Sequence, residues 1–218
     1  MANQLFIGGI KAQDLAAKFG TPLYVYDAEI VRRQYALLRK HLPQFEIFYS
    51  LKANGSLALA RILAKEGAGA EIASGGELVL AQAAGFPPER IIFAGPGKDT
   101  DELEAAVKSG ILCFNVESAR ELERLEEIGG RLGKKILCAI RLNTFEGAEA
   151  QEQMVGGPSK FGWDQERVVE ELSSLLPKLQ QVQVEGIHLY TASGVLDPAA
   201  LVANAKRTVK LAKEISKE

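Results

Sequence analysis

The chain has 218 residues, 47% hydrophobic and 25% charged, with a formal net charge of −2. Those proportions belong to an ordinary globular protein with room for one sizeable core, which excludes disorder as the starting assumption. With no basic excess, nothing in the chain would gather a nucleic acid or an anionic membrane surface, and small molecules are the expected ligands.

In chain order, Met1–Gly20 has neither a basic start nor a continuous apolar run. No later stretch approaches the roughly 18 apolar residues of a membrane helix, so the expected compartment is the cytoplasm. Leu5–Ile10 reads as a short strand, Lys11–Phe19 as a helix, and Leu23–Tyr26 as a strand after the Gly20-Thr21-Pro22 punctuation. Asp27 is placed to cap a helix over Ala28–His41, with His41 a favourable charge at its end. Short β-branched or aromatic runs then predict strands at Phe45–Leu51, Ala70–Ala73, Ile91–Ala94, Ile111–Val116, Ile136–Leu142 and Val184–Leu189. Helical patterns follow them at Ser56–Glu66, Gly76–Ala84, Thr100–Ser109, Ser118–Leu132, Asp164–Leu176 and Pro198–Ser216. Each strand feeds one helix, the order of parallel βα units. Cys113 and Cys138 sit inside apolar strand-like runs with no metal or redox spacing, and read as buried structural thiols. No His/Cys/Asp cluster has ligand spacing, so no metal is expected.

Two α/β architectures fit: an open doubly wound sheet and a closed (β/α)8 barrel. Polar residues recur at the C-terminal ends of the strands: Ser50 and Lys52, Ser74, Gly95 to Lys98, Asn115 and Glu117, Arg141 and Asn143, then Tyr190 to Ser193. A barrel builds its active site from several strand ends on that face, whereas an open sheet concentrates its signal in one Gly-rich turn after the first strand. No Gly-x-Gly-x-x-Gly follows any strand, and Gly95-Pro96-Gly97-Lys98 lacks the spacing and hydroxyl of a P-loop. The expected fold is therefore a TIM-type barrel with about six of its eight units present, which reads as a fragment because the unpaired edges would be unstable.

The sharpest local signal is Phe48-Tyr49-Ser50-Leu51-Lys52-Ala53-Asn54, where a lysine stands as an apolar strand meets a turn. Alternation puts Phe48, Ser50 and Lys52 on one face. If that face lines a barrel, the ammonium is partly desolvated, which favours the neutral nucleophile that imine formation requires. The plain alternative is a solvated lysine past a strand end.

Tyr49-Ser50-Leu51-Lys52-Ala53-Asn54 resembles the cofactor-lysine motif of the alanine-racemase-like, fold-type III pyridoxal-phosphate enzymes, in particular the diaminopimelate and ornithine decarboxylase family. Further similar stretches follow in order: Glu71-Ile72-Ala73-Ser74-Gly75-Gly76-Glu77, Gly95-Pro96-Gly97-Lys98, Asn115-Val116-Glu117-Ser118, Arg141-Leu142-Asn143 and Ser159-Lys160-Phe161-Gly162. Each alone is weak, but the series covers nearly the whole chain.

The resemblance implies pyridoxal 5'-phosphate as cofactor, Lys52 as its Schiff-base lysine, and decarboxylation of an amino acid. It implies cofactor-site roles for Glu71, Ser74, Arg141, Tyr190 and Ser193. Several residues of the matched stretches have plainer readings: Arg141 in a surface ion pair with Glu117 or a neighbour, Ser74 with Glu77 as a capping box, Ser193 as a turn serine, Lys160 as a solvated loop lysine, and Asn115 and Glu117 as turn residues. The stretch Thr144–Pro158 looks like an active-site cover. Gly186-Ile187-His188-Leu189-Tyr190-Thr191-Ala192-Ser193 departs from the family, which commonly has histidine at the position of Tyr190 and glycine at that of Ala192. A tyrosine can also stack on a ring, and His188 shares a face with Tyr190 but reads as a satisfied core residue. The tyrosine-bearing run, with Met154-Val155-Gly156-Gly157-Pro158 upstream, is similar to a branch that includes decarboxylases of carrier-protein-tethered glutamyl groups.

By the same resemblance, residues 1–26 are a strand lead-in to a missing C-terminal β-domain, residues 27–218 a partial barrel, the full-length protein a homodimer, and this piece alone inactive. Candidate substrates are diaminopimelate, an ornithine- or lysine-like amino acid, or a carrier-tethered amino acid. A non-catalytic pyridoxal-phosphate-binding regulator and an amino-acid racemase of the same fold remain open.

Overall fold

The computed structural model describes residues 4–143, 152–153, 160–190, 192–193 and 195–215. Gly8 and Gly9, both at positive φ, turn the predicted Leu5–Ile10 strand into a hairpin of Phe6–Ile7 (β1) and Ile10–Lys11 (β2). Helix α1 (Ala12–Phe19) follows. The segment Leu23–Tyr26, expected as a strand, forms none: it has no partner strand among the described residues and leaves Tyr24 88% exposed. Its β-rich composition lacks the paired backbone that makes a strand. Asp27 caps α2 (Ala28–His41) as expected, accepting from the backbone N–H of Glu29 and Ile30.

From there strand and helix alternate: β3 (Phe48–Ser50), α3 (Leu57–Lys65), β4 (Gly69–Ile72), α4 (Gly75–Ala84), β5 (Ile91–Phe93), α5 (Thr100–Ser109), β6 (Cys113–Val116), α6 (Ala119–Leu132) and β7 (Ile136–Asn143). After the two-residue β8 (Glu152–Gln153) and β9 (Trp163–Asp164) come α7 (Gln165–Leu175), β10 (Val182–Leu189), β11 (Ala192–Ser193) and α8 (Pro198–Ile215). All six predicted strands of the main sheet exist, with ends shifted by a few residues.

The main strands are parallel and stand in the order β3-β4-β5-β6-β7-β10. Each neighbours the one before it in the chain, with no reversal of direction. Right-handed crossovers in such an order put every helix on the same side of the sheet, so it curls as a barrel wall does; a doubly wound sheet requires a switch point. Consecutive helices accordingly pack on one another, α2 on α3, α3 on α4, α4 on α5 and α5 on α6. Between helices and sheet lies the core, with Ile72, Phe93, Phe114, Val116 and Ile140 from the strands meeting Leu103, Leu122, Leu125 and Ile128 from the helices.

The opposite, concave side carries polar residues, and β10 shows how. Val182 and Val184 pack on the core, then a bulge shifts the register so that Val184 pairs with Cys138 but Gly186 with Ala139. One extra residue reverses the parity of side chains along a strand. Ile187 and Leu189 therefore take over the core face, and His188 and Tyr190 are left for the concave side. β9 joins β7 at Leu142 and Asn143, past the Val116–Ile140 pair where β6 stops. Among the described residues no helix is long and apolar enough to cross a membrane.

Candidate active site

The site is assembled at the C-terminal ends of the parallel strands. Ser50, the last residue of β3, is in register with Glu71 of β4, and the chain then tightens into a 3₁₀ turn over Leu51–Ala53. Leu51 turns into the core, at 1% exposure, which leaves Lys52 projecting over the strand ends. Glu71 Oε1 accepts from Ser50 Oγ at 3.1 Å and pairs with Lys52 Nζ at 3.3 Å. The same ammonium stands 5.4 Å from the ring centroid of Tyr190, just beyond β10. The shared face expected of Ser50 and Lys52 is thus observed. The expected desolvation is not: the Lys52 side chain is 55% exposed, because a 3₁₀ turn at the rim lifts it above the strands.

Arg141, on β7, is in register with His188 of β10. Its guanidinium lies 4.5 Å from the Phe161 ring centroid and donates to Glu117 Oε1 at 2.7 Å. An ion pair with Glu117 is what the plainer sequence reading held, but it is buried, not at the surface: Arg141 is 7% and Glu117 6% exposed. Glu117 is the hub of this half of the site. Its Oε1 also accepts from the Gly95 N–H, and its Oε2 from the Gly162 N–H. Gly162 has φ +70°, and a Cβ built on it would stand 2.7 Å from the Arg141 carbonyl oxygen, so a glycine is what lets this loop seat against β7.

His188 lies between the two halves. Burial, and then the Arg141 charge, push its imidazole down to about 4, with Glu71 opposing and Lys52 adding to the shift. Its Nδ1 is buried and has no hydrogen-bond partner among the described residues. The expectation of a satisfied core histidine is corrected accordingly: the bulge in β10 aims this ring at the site, where its Nδ1 has no partner among the described residues.

Ser74 is the N-cap of α4, its Oγ accepting from the Glu77 N–H at 3.2 Å. The reciprocal half of the expected capping box is displaced by one residue, since Glu77 Oε2 accepts from the Ala73 N–H at 2.7 Å. Ser193 lies in β11, paired with Glu152, and its side chain is outside the described residues, as is the Thr144–Pro158 stretch apart from the β8 backbone. Lys160 is exposed, its Nζ 5.1 Å from the Phe161 ring centroid. Sequence reading gave Lys98 and Glu121 no role of their own, yet they form a buried ion pair of 2.6 Å beside Glu117. The available signal was Glu121 itself, which shares an i, i+4, i+7 stripe with the buried Leu125 and Ile128.

Comparison with known proteins gives this geometry a family. Residues 28–218 match the model of the pyridoxal-dependent decarboxylase, pyridoxal binding domain. The chain is 42% identical over 218 residues to diaminopimelate decarboxylase of Aquifex aeolicus, covering 99% of this chain and 52% of that protein. It is 39% identical over 203 residues to the L-glutamyl-[BtrI acyl-carrier protein] decarboxylase of Niallia circulans, covering 92% and 47%. The crystal structure of diaminopimelate decarboxylase from Methanocaldococcus jannaschii superposes with a TM-score of 0.89 at 30% identity, over 100% of this chain and 52% of that one. The chain thus spans about half the length of the curated relatives it matches. Its parallel α/β sheet corresponds to the amino-terminal part of their TIM-type barrel.

Pyridoxal phosphate is the cofactor of this family, and the donor set fits it. An aldehyde needs a primary amine at the mouth of the site, and Lys52 offers one; an aromatic ring needs a flat face, and Tyr190 lies under that amine. A polar, anionic molecule needs a fixed cation and hydrogen-bonding atoms, and Arg141 with the unpartnered His188 Nδ1 supply them.

Proposed function

We infer, because the chain belongs to the pyridoxal-dependent decarboxylase family, that the complete protein removes the α-carboxylate of an amino acid using pyridoxal phosphate. The observation that carries this reading is the cluster of Lys52, Glu71 and Tyr190 at three strand ends, with Nζ 3.3 Å from the carboxylate and 5.4 Å from the ring centroid. When bound, pyridoxal phosphate supplies the sink for the electrons of the breaking Cα–carboxylate bond. The protein's part is to bind and orient. Lys52 is the covalent anchor, and Glu71 Oε1 is placed to orient its amine and to accept its proton as it turns nucleophile. Tyr190 carries the ring face, and Arg141, held by Glu117 and Phe161, presents a fixed positive charge. Ser74 fixes the start of α4 beside the site, and Ser193 is a phosphate contact by resemblance.

The finer points belong to the same reading. The complete protein acts in the cytoplasm as a homodimer, and residues 27–218 are barrel wall. Residues 1–26 join a β-domain, a role supported by the exposed apolar side chains of Leu5, Phe6, Leu23, Tyr24 and Tyr26. A 218-residue piece that covers about half of its relatives is inactive by itself.

A second substrate reading is favoured by Tyr190 together with the 39% identity to a carrier-protein decarboxylase: a glutamyl group tethered to a carrier protein, in place of free diaminopimelate or an ornithine- or lysine-like amino acid. The test is an absorbance titration with pyridoxal phosphate of the chain and its longest available form, each beside Lys52→Ala, followed by carbon dioxide release from free and carrier-bound substrates. A band lost in Lys52→Ala and carbon dioxide from one substrate class support the reading. Binding without carbon dioxide release points to a racemase or a regulator, and binding indifferent to Lys52 refutes the anchor.

A further inference from the structure

Lys98 is a fully buried charge, its side chain 0% exposed. Its ammonium has three N–H groups and spends all three: on Glu121 Oε1 at 2.6 Å, the Gly95 carbonyl at 2.6 Å and the Asn115 carbonyl at 2.9 Å. The other oxygen of Glu121 accepts from the Glu117 N–H at 3.1 Å. The Glu117 carboxylate in turn accepts from the Gly95 N–H at 2.9 Å. These bonds close a ring: Lys98 to the Gly95 carbonyl, the Gly95 N–H to the Glu117 side chain, the Glu117 N–H to Glu121, and Glu121 back to Lys98. It joins the end of β5, the end of β6 and the first turn of α6, and Arg141 hangs from it through Glu117 Oε1.

Stability alone does not account for such a pair. Two charges in an apolar core forfeit hydration that their attraction barely returns, and well-packed apolar residues of similar volume often serve as well or better. What an apolar pair cannot do is hold the Gly95 peptide and the Glu117 main chain in fixed orientation, and with them the carboxylate that grips Arg141. Burial raises the Glu121 carboxyl from its ordinary value, and the Lys98 charge and hydrogen bond oppose that rise.

We propose that Lys98 is a positioning residue of the cofactor site, whose buried ion pair with Glu121 closes a hydrogen-bond ring through Gly95 and Glu117 and so sets the guanidinium of Arg141. The proposal rests on the reading of Arg141 as a cofactor-site residue, and one of its two readouts is independent of the cofactor.

The test pairs Lys98→Met/Glu121→Leu, which removes both charges, with Lys98→Met/Glu121→Gln, which keeps an acceptor for the Glu117 N–H. In the protein without cofactor, nitrogen-15 NMR of the arginine side chains, assigned with Arg141→Lys, reports whether the guanidinium is held. Absorbance titration then gives the dissociation constant for pyridoxal phosphate. Resolved Arg141 Nη–H signals are expected in the parent and collapsed, freely rotating ones in both variants, with cofactor affinity about tenfold lower, by analogy with the loss when groups that orient metal ligands are removed. A folded variant of either kind with resolved Arg141 signals and parental affinity overturns the proposal. If the first variant does not fold, the second decides; if neither folds, the pair is a requirement of the core and the positioning role is rejected. A parent with held Arg141 signals but no cofactor binding refutes the functional reading and leaves the ring's hold on Arg141 intact.

Discussion

Gly162→Ala perturbs the site at a point where the cost can be worked out from geometry. The residue has φ +70°, a region that costs a non-glycine residue about 1–2 kcal/mol. The new methyl would also stand 2.7 Å from the carbonyl oxygen and 3.0 Å from the carbonyl carbon of Arg141, and since these are backbone atoms of an interior strand, Gly162 has to move. Overpacking of this kind adds about 1–3 kcal/mol. Together the terms predict a loss of roughly 2–5 kcal/mol. At about 2–4 °C per kcal/mol for a protein of this length, thermal unfolding falls by about 4 to 20 °C. Moving Gly162 also draws its N–H from Glu117 Oε2, now 3.2 Å away, and displaces Phe161 from the Arg141 guanidinium. Circular dichroism melts measure the first effect and an absorbance titration with pyridoxal phosphate the second. A Gly162→Ala protein that melts with the parent and binds cofactor as tightly refutes the argument that this glycine seats the loop on β7.

Three other changes follow from the same interactions. Because burial and Arg141 hold His188 down at about 4, below its ordinary 6.5, the unfolded chain binds the proton more readily. Stability is therefore whole above pH 6.5 and is lost as pH falls toward 4, by on the order of 3 kcal/mol; urea unfolding at pH 7 and pH 5 tests this against His188→Gln, which flattens the slope, and an NMR titration midpoint near 6.5 contradicts it. Glu117→Leu leaves Arg141 as a buried charge without its partner and costs about 3–5 kcal/mol in denaturant unfolding, well beyond the exposed pair of Lys52 with Glu71. Glu126 accepts from the N–H groups of Gln180, Gln181 and Val182. Burial would raise its carboxyl, and these bonds outweigh it, so the group is lowered and its contribution fades as pH falls through that lowered value; Glu126→Ala costs about 1–2 kcal/mol at neutral pH and less in acid, and amide exchange at the start of β10 reports the loss.

The fold was legible where local pattern and global packing agree, and the exceptions show what pattern leaves out. The six main strands announced themselves because both faces of a parallel strand are covered, so each is a short apolar run between turn residues. Leu23–Tyr26 has the same composition but no neighbouring backbone, and composition cannot see a neighbour. In β10 the pattern Val182, Val184, Ile187, Leu189 breaks period two, and that break was the trace of the bulge. Alternation alone set His188 on the face of Tyr190; what it could not show was that the bulge leaves Nδ1 without a partner among the described residues. The Lys98–Glu121 pair is harder, since a lysine between Gly97 and Asp99 looks like any loop lysine until two strand ends and the first turn of α6 converge on it.

The two halves of the site follow different rules, and the difference bears on what each does. Lys52, Glu71 and Ser50 are held by contacts of 3.1 and 3.3 Å around a half-exposed amine, a loose arrangement that leaves Lys52 room to exchange partners. Arg141 and Glu117 are buried, and their bonds of 2.7 and 2.9 Å are backed by glycine peptides that no side chain could replace without a clash or strain. On the proposed reading of Lys52 as the cofactor's anchor, exposure and weak pairing would suit an amine that has to exchange partners. A group that only has to present fixed charge gains from burial, because an oriented dipole or ion in a dry setting needs no reorganisation when the reaction proceeds. The strand ends supply both environments within one row because β3 stops in a 3₁₀ turn at the rim, while β7 runs on to Asn143 beneath the loop that Gly162 seats.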